Sequence, residues 1–484
     1  MEKQIPTQVK NILEKLTSKD FEAYVVGGCV RDLLLKKTPQ DYDVATNAKP
    51  EQVQEMFKKS FSNNDFGTVT VLTGAEEKQL QEVQVTTYRT EEDYHDQRHP
   101  EKVNFVSDIK EDLQRRDFTV NAMALNIKGE LIDPFKGKED LQKKIIRAVG
   151  EPEERIGEDA LRMMRAVRFS VQLNFNIHSA TETAIKKNAP LLQKISAERI
   201  RDELIKIIIS SRAAEGVEKL RELSLLEQFL PEILEGYEID QNKHHIYDCY
   251  EHSVKSLEYA TRKNFNFAVR MAALLHDVGK PRSKRGEGKD STFYNHEVIG
   301  EKMTRGILKR LKFSKEEREK ISLLVRYHLF YYNVGEVTES SVRRLLRKVG
   351  QENIEDLLQV RMADRIGSGV PKAEPYKLRH LRYIIDKVSQ DPITSSMLKI
   401  DGQTVMKIMD VTPGPLVGAV LNILLQKVME DPSFNTEEKL TQEVQNLKNK
   451  PEEEVEKMGR EAKKMTDNIE EEKEEQIKKK HWVR

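Results

Sequence analysis

Alternation of apolar and polar positions is confined to the first part of the chain. Residues 23–26 (AYVV), 67–73 (GTVTVLT) and 82–88 (EVQVTTY) are β-branched, period-2 runs, and the first ends in Gly27-Gly28 just before a helical pattern. From about residue 138 the period changes, with apolar residues recurring at helical spacing through 160–171, 179–193, 198–210 and 216–229. The pattern predicts an α+β chain: a head with a mixed sheet, then an all-helical remainder. Composition shifts divide it further, into a head over 1–137, a helical neck and body over 138–235, a histidine-rich helical domain over 236–370 that starts after Pro231, and a helical C-terminal region over 371–484. The run 451–484 is nearly all Glu and Lys and reads as a solvated helix. No internal repeat is expected.

The opening MEKQIPTQVKNILEKL mixes acid and base among its apolar residues, which predicts an amphipathic helix and not a signal peptide. The longest apolar stretches, such as 416–425, fall far short of the roughly 20 residues of a spanning helix, so no membrane is expected as a partner. Lys+Arg and Asp+Glu each number 81 among 484 residues. With no net field to attract a polyanion, any such site must be a local patch, and DNA is not an expected partner. Only Cys29 and Cys249 are present, which excludes a disulfide framework and a thiolate zinc cluster and fits a reducing, cytoplasmic setting.

Candidate chemistry begins at DYDVAT. On a strand, Asp41 and Asp43 point to one side, and adjacent carboxylates are costly unless a cation lies between them. Hard oxygen ligands suit Mg²⁺, and two such ions can activate a 3′-hydroxyl and stabilise a leaving pyrophosphate. Upstream, Gly27-Gly28-Cys29-Val30-Arg31-Asp32 joins the AYVV strand to a helix, so main-chain amides at Gly28 can approach phosphates and Arg31 can hold a triphosphate oxygen; an ordinary turn and a local Arg31–Asp32 ion pair are the plainer readings. The segment GGCVRDLLLKKTPQDYDVAT resembles the active-site motif of the class II nucleotidyltransferases of the polymerase-β superfamily, the CCA-adding tRNA nucleotidyltransferases and bacterial poly(A) polymerases. Residues 115–122 (RRDFTVNA) resemble a second element of that family, and Asp133-Pro134 with Gly137 its connection from head to neck. The resemblance implies that Arg116 binds nucleotide phosphates while Asp117 and Asn121 brace the site. It also implies a tRNA substrate and CTP and ATP as donors.

In EDALRMMRAVRF, Asp159, Arg162, Arg165 and Arg168 recur every three residues and drift around one helix face. An ordinary helix would use such a run for salt bridges. A sharper reading follows from base chemistry: cytosine and adenine each present an amino donor beside a ring-nitrogen acceptor, whereas guanine and uracil present a carbonyl beside an N–H. Asp159 as acceptor and Arg162 as donor would satisfy C and A and leave unpaired groups against G and U. The family's EDxxR element has this role by resemblance, with Arg165 and Arg168 as further nucleotide-contacting arginines. The polar segment 90–105 predicts a loop, which in CCA-adding members helps the switch from C to A, and Ser196-Ala197-Glu198-Arg199 predicts a capped helix start.

Downstream, His252, His276-Asp277 and Asp364 lie in separate helical segments and can converge on one divalent metal with open positions for water. LLHDVGK resembles the HD phosphohydrolase superfamily, and His296 and His328 stand where some members hold a second metal. Imidazole ligands favour Ni²⁺, Co²⁺ or Mn²⁺ over Mg²⁺ there. The expected function is therefore template-free addition of CMP and AMP to the tRNA 3′ end, with an HD phosphohydrolase activity. The alternatives are a poly(A) polymerase, an A-adding or CC-adding specialist, and an RNA-binding protein with a vestigial transferase site.

Overall fold

The computed structural model describes residues 5–62, 67–92, 102–241, 246–286, 291–389 and 398–483. His244, His245 and the middle of the polar 90–105 segment lie outside them. The chain divides into two compact units, residues 1–329 with 355–371 and residues 330–354 with 372–484.

In the first unit, strands β1 (Ala23–Val26), β2 (Asp43–Thr46), β3 (Ser60–Ser62), β4 (Thr68–Leu72), β5 (Glu82–Thr87), β6 (Arg89–Glu92), β7 (Lys102–Phe105), β8 (Ala124–Leu125) and β9 (Leu131–Ile132) alternate with short helices, and the longer helices follow them. Seven form one sheet in the order β3-β4-β5-β2-β1-β8-β9. Only β2 and β5 run parallel, so the sheet is mixed as the alternation predicts. The strands β6 and β7 pair antiparallel with each other. The ends of the segment expected as a loop are thus a two-stranded ribbon, which its polar composition conceals.

A second departure concerns the aspartates. β1 ends at Val26, paired with Asp43, because Gly27 (φ 81°) turns the chain into the helix Gly28–Leu34. Asp41 therefore has no strand partner and sits in a bend just before β2. Side-chain alternation persists nonetheless: Tyr42 is buried between an exposed Asp41 and a half-buried Asp43.

Beyond the head, the 160–171 pattern is the helix Leu161–Leu173 and the 198–210 pattern the helix Ala197–Ile208. The 179–193 pattern splits into a helix Ser179–Asn188 and a 3-10 segment Ala189–Lys194, where Pro190 has no amide to donate. The helical stretch also holds a short parallel pairing of Ile145–Ile146 with Asn176–Ile177, an exception to the expected all-helical remainder.

The second unit is helical. The helix Glu339–Val349, expected with the histidine-rich domain by composition, groups here with Tyr376–Ser389 and the later helices. The Glu/Lys-rich end forms the helix Glu452–His481, which is not simply solvated. Val455 and Ala462, seven apart on one stripe, join a core with Val420, Ile423, Leu424 and Val444. Among the described residues no helix is long and apolar enough to cross a membrane.

Candidate active sites

The first cluster forms where β1 and β2 end together. A Cβ at Gly27 would sit 2.9 Å from Arg116 Nη1 and 3.9 Å from Asp43 Oδ2, and its φ of +81° already favours glycine, so this position keeps the arginine and the carboxylate close. Burial, reinforced by Asp41 and opposed by Arg116, pushes the Asp43 carboxyl up to about 6. Two carboxylates this close repel one another, and a donor set of two carboxylates suits a hard divalent ion. Gly28 opens the following helix, and Arg31 makes the local ion pair with Asp32 at 2.8 Å while its Nη1 donates to Asn121 Oδ1 at 2.8 Å.

Around this cluster RRDFTVNA supplies braces. Asp112, almost fully buried, accepts from Arg115 at 2.8 Å and from Arg116 at 3.3 Å. Arg116 Nε is buried without a partner, a donor left for a ligand. Asp117 Oδ1 accepts from the Phe118 amide (2.8 Å) and Asn121 Nδ2 (3.2 Å), and its Oδ2 from Arg165 Nε (2.8 Å). Burial alone would raise this carboxyl, but Arg165 outweighs it and holds Asp117 down to about 2.

The EDALR element departs from expectation. Asp159 is not on the arginine-bearing helix: it follows the helix Pro152–Glu158 in extended conformation, two residues before Leu161–Leu173 begins. Its Oδ1 accepts from the Leu161 amide (3.1 Å), and its Oδ2 pairs with Arg199 (2.7 Å), not with a neighbouring arginine. Arg162 is 9% exposed and donates to Arg155 O (2.7 Å), Glu158 Oε2 (2.5 Å) and Arg115 O (3.0 Å). Arg162 and Arg165 thereby tie the neck helix to both sides of the RRD element. Arg168 is buried against Glu203 at 2.9 Å, and burial pushes its guanidinium down to about 10. Its guanidinium lies 4.1 Å from the Phe169 ring centroid, and its Nε is buried without a hydrogen-bond partner.

Sequence reasoning missed Arg199 and Glu203. Both lie on the helix Ala197–Ile208, where Ser196 occupies the N-cap position but makes no side-chain cap bond. The motif's signal is therefore Arg199, which reaches Asp159 and keeps its Nη1 buried without a partner.

The second cluster gathers side chains from five helices or their ends. His252 comes from Cys249–Arg262, His276 and Asp277 follow Phe267–Leu275, and Asp364 comes from Ile354–Gly367. His296 starts His296–Arg310, and His328 caps Lys315–Tyr327. A Cβ at Gly279 would lie 2.3 Å from His296 O, so glycine alone lets the His276 turn nest there. The Nε2 atoms of His252 and His276 are 2.8 Å apart. They lie 3.1 and 3.2 Å from Asp277 Oδ2 and 3.4 and 3.7 Å from Asp364 Oδ1. The Nε2 atoms of His296 and His328 lie 3.4 and 3.6 Å from Asp277 Oδ1. His276, His296 and His328 each place Nδ1 2.7–2.9 Å from a main-chain carbonyl, which orients the ring and turns Nε2 toward the cluster.

Ring nitrogens facing one another around a buried carboxylate fit cations, and two groups of three ligands share Asp277. In the metal-free protein, burial opposes charge on His276, but Asp277 and Asp364 outweigh it and push the imidazole up to about 10. Burial and the His276 charge push His328 down to about 3. Lys280, unnoticed in the sequence, approaches Asp277 Oδ2 at 2.6 Å. With Arg361, Arg365 and Tyr294 it lines a cavity of about 430 Å³ beside the cluster.

The family described as "Poly A polymerase head domain" matches residues 23–147, "Probable RNA and SrmB- binding site of polymerase A" matches 174–236, and "HD domain" matches 249–368. Over 452 residues the chain is 34% identical to the CCA-adding enzyme of Enterococcus faecalis, covering 90% of this chain and 95% of that one. The chain belongs to the CCA-adding enzyme family. Another CCA-adding enzyme, from Lactobacillus delbrueckii subsp. bulgaricus, is 49% identical over 223 residues, 46% of this chain and 55% of that one. Such stretches span about half the length of the Lactobacillus relatives. The Bacillus stearothermophilus CCA-adding enzyme, solved in complex with CTP, superposes with a TM-score of 0.57 at 29% identity, over 91% of this chain and 98% of that one.

Proposed function

We propose that this member of the CCA-adding enzyme family transfers CMP and then AMP from CTP and ATP to the 3′ end of tRNA without a nucleic-acid template. The observation that carries the reading is the half-buried Asp43 beside the exposed Asp41, Gly27 and Arg116, two carboxylates and an arginine gathered where β1 and β2 end. Asp41 and Asp43 would hold Mg²⁺, which when bound activates the 3′-hydroxyl and stabilises the departing pyrophosphate. Arg116 offers its unpartnered Nε and, with Arg31 and the main chain at Gly28, orients the triphosphate. Asp159 and Arg162 read the base. Arg199 holds Asp159 in place, and the bond from Arg162 to Arg115 O couples base reading to the phosphate-binding element. Arg165 acts through Asp117 and Arg168 through Glu203 and Phe169, as positioning groups.

The test is base choice. Asp159→Ala is expected to relax discrimination against UTP and GTP by roughly one to two decades, since a lost polar complement is worth on the order of 1–3 kcal/mol. Arg162→Ala is expected to do the same, and Arg199→Ala to follow Asp159→Ala in direction with a smaller effect. Single-turnover incorporation of each of the four nucleotides onto tRNA ending before CCA measures this. Unchanged selectivity in both Asp159→Ala and Arg162→Ala would refute a protein-templated mechanism.

We also assign a metal-dependent phosphohydrolase activity to the second cluster. His252, His276, Asp277 and Asp364 would hold one ion, and Asp277 with His296 and His328 a second. Ni²⁺, Co²⁺ or Mn²⁺ suit these imidazoles, and a bound ion supplies a nucleophile from water near neutral pH. Lys280, Arg361 and Arg365 give the adjoining cavity the charge to take a phosphomonoester or a 2′,3′-cyclic phosphate.

A further inference from the structure

We propose that the second unit carries an RNA-stacking site built on Trp482, Tyr376 and the cations around them. Trp482 is the single tryptophan of the chain and is 80% exposed. It follows the helix Glu452–His481 with φ 54° and ψ 45°, a left-handed conformation in which glycine is the ordinary occupant. The Trp482 amide donates to Lys479 O (3.2 Å) and the Val483 amide to Lys478 O (3.0 Å), closing the helix in the turn that glycine usually makes. Val483 tucks into a small core with Tyr383 and Ile477, so the turn is pinned while the indole stays outside. The fold thus gains nothing from this ring: a large apolar side chain occupies a strained position and covers no core.

Its surroundings say what it faces. Tyr376, 39% exposed, with Arg379, Lys478, Lys479 and Val483, lines a cavity of about 830 Å³ beside the indole, and among the described residues no carboxylate lines it. The Arg379 guanidinium lies 5.7 Å from the Tyr376 ring centroid and donates to Trp482 O at 3.3 Å. Lys478 and Lys479 keep Glu474 and Glu475 at 3.1 and 3.5 Å, pairings on the helix surface that phosphate can replace. Two exposed rings among three cations match successive unpaired bases and their phosphates, because every base has a face to stack and every linkage a charge. An acidic peptide would engage the cations and leave both rings without a role. In a chain of zero net charge, this is the kind of local patch a polyanion requires. The choice of tRNA as the RNA rests on the reading above; the stacking chemistry does not.

With one tryptophan in the chain, its emission reports on this site alone. Titrating the full-length protein with tRNA lacking CCA, or with a short unstructured oligoribonucleotide, is expected to quench that emission saturably. W482G, and W482N as a second variant suited to the same backbone, are expected to weaken binding of labelled tRNA on the order of 5- to 100-fold. Their melting temperatures should stay level or rise, since the strained position is relieved. Emission unchanged at saturating RNA, or unaltered tRNA affinity in both folded variants, would overturn the proposal. So would a response to polyglutamate alone, which would mean an acidic protein partner, or a concentration-dependent shift without RNA, which would mean a second copy. D41N separates the two readings: it should keep the emission response while losing nucleotide transfer. Quenching in a wild-type protein that transfers no nucleotide would sink the transferase reading and leave the stacking site standing.

Discussion

Asp43→Asn is expected to lower nucleotide transfer by ~10³-fold or more, with Asp41→Asn close behind, because an amide cannot replace a charged ligand and a bound cation supplies several kcal/mol of transition-state stabilisation. The fold should survive. Asp43 is raised from 3.8 to about 6, chiefly by burial and then by Asp41, so in the metal-free protein the ionised carboxylate opposes folding. A raised folded-state value means that the contribution to stability is fully present below about pH 4 and is lost as the pH rises through about 6. At neutral pH the asparagine variant should therefore melt no lower than the metal-free wild type. Added Mg²⁺ should raise the melting temperature of the wild type and not of the variant. Near-normal Mg²⁺-dependent turnover by Asp43→Asn would remove the assignment of this pair as the catalytic metal ligands.

Asp277→Asn should abolish metal binding at the second cluster and reduce phosphohydrolase turnover by ~10³-fold or more, while transfer to tRNA stays largely intact. Asp277 is the shared member of both ligand groups, so its loss affects both, whereas His328→Ala should spare the group of His252, His276 and Asp277. Metal content of the purified variants gives the comparison without reference to activity. Binding should also depend on pH with a definite sign. His276, pushed up to about 10 by Asp277 and Asp364 against burial, holds a proton at neutral pH that a metal must displace. Apparent affinity should rise with pH, by about tenfold per unit for one displaced proton. A full complement of metal in Asp277→Asn would contradict the shared ligand.

What was legible in the sequence is what short segments hold by themselves. DYDVAT, GGCVRD and LLHDVGK each bring their chemical groups together within a few residues, and local turns preserve that proximity in the fold. The mixed sheet was legible because period-2 alternation survives wherever one face is buried, as at Val69, Val71, Val83 and Val85. Asp159–Arg199 and Arg168–Glu203 were not, since their partners lie 40 and 35 residues apart and meet only when two neck helices pack. Regular spacing of Asp159 with the arginines misled for the same reason: the helix starts after it, so a common face never forms. The ribbon β6–β7 and the buried stripe of the last helix escaped because their residues are polar or small. In both, main-chain pairing or close packing does what apolar bulk does elsewhere.

The most direct measurement is the product formed on tRNA that lacks its terminal CCA, incubated with CTP, ATP and Mg²⁺ and then sequenced at its 3′ end. The account predicts C, C and A added in that order, after which extension stops. A run of adenylates, an end at CC, addition of A alone, or no incorporation at all would contradict it.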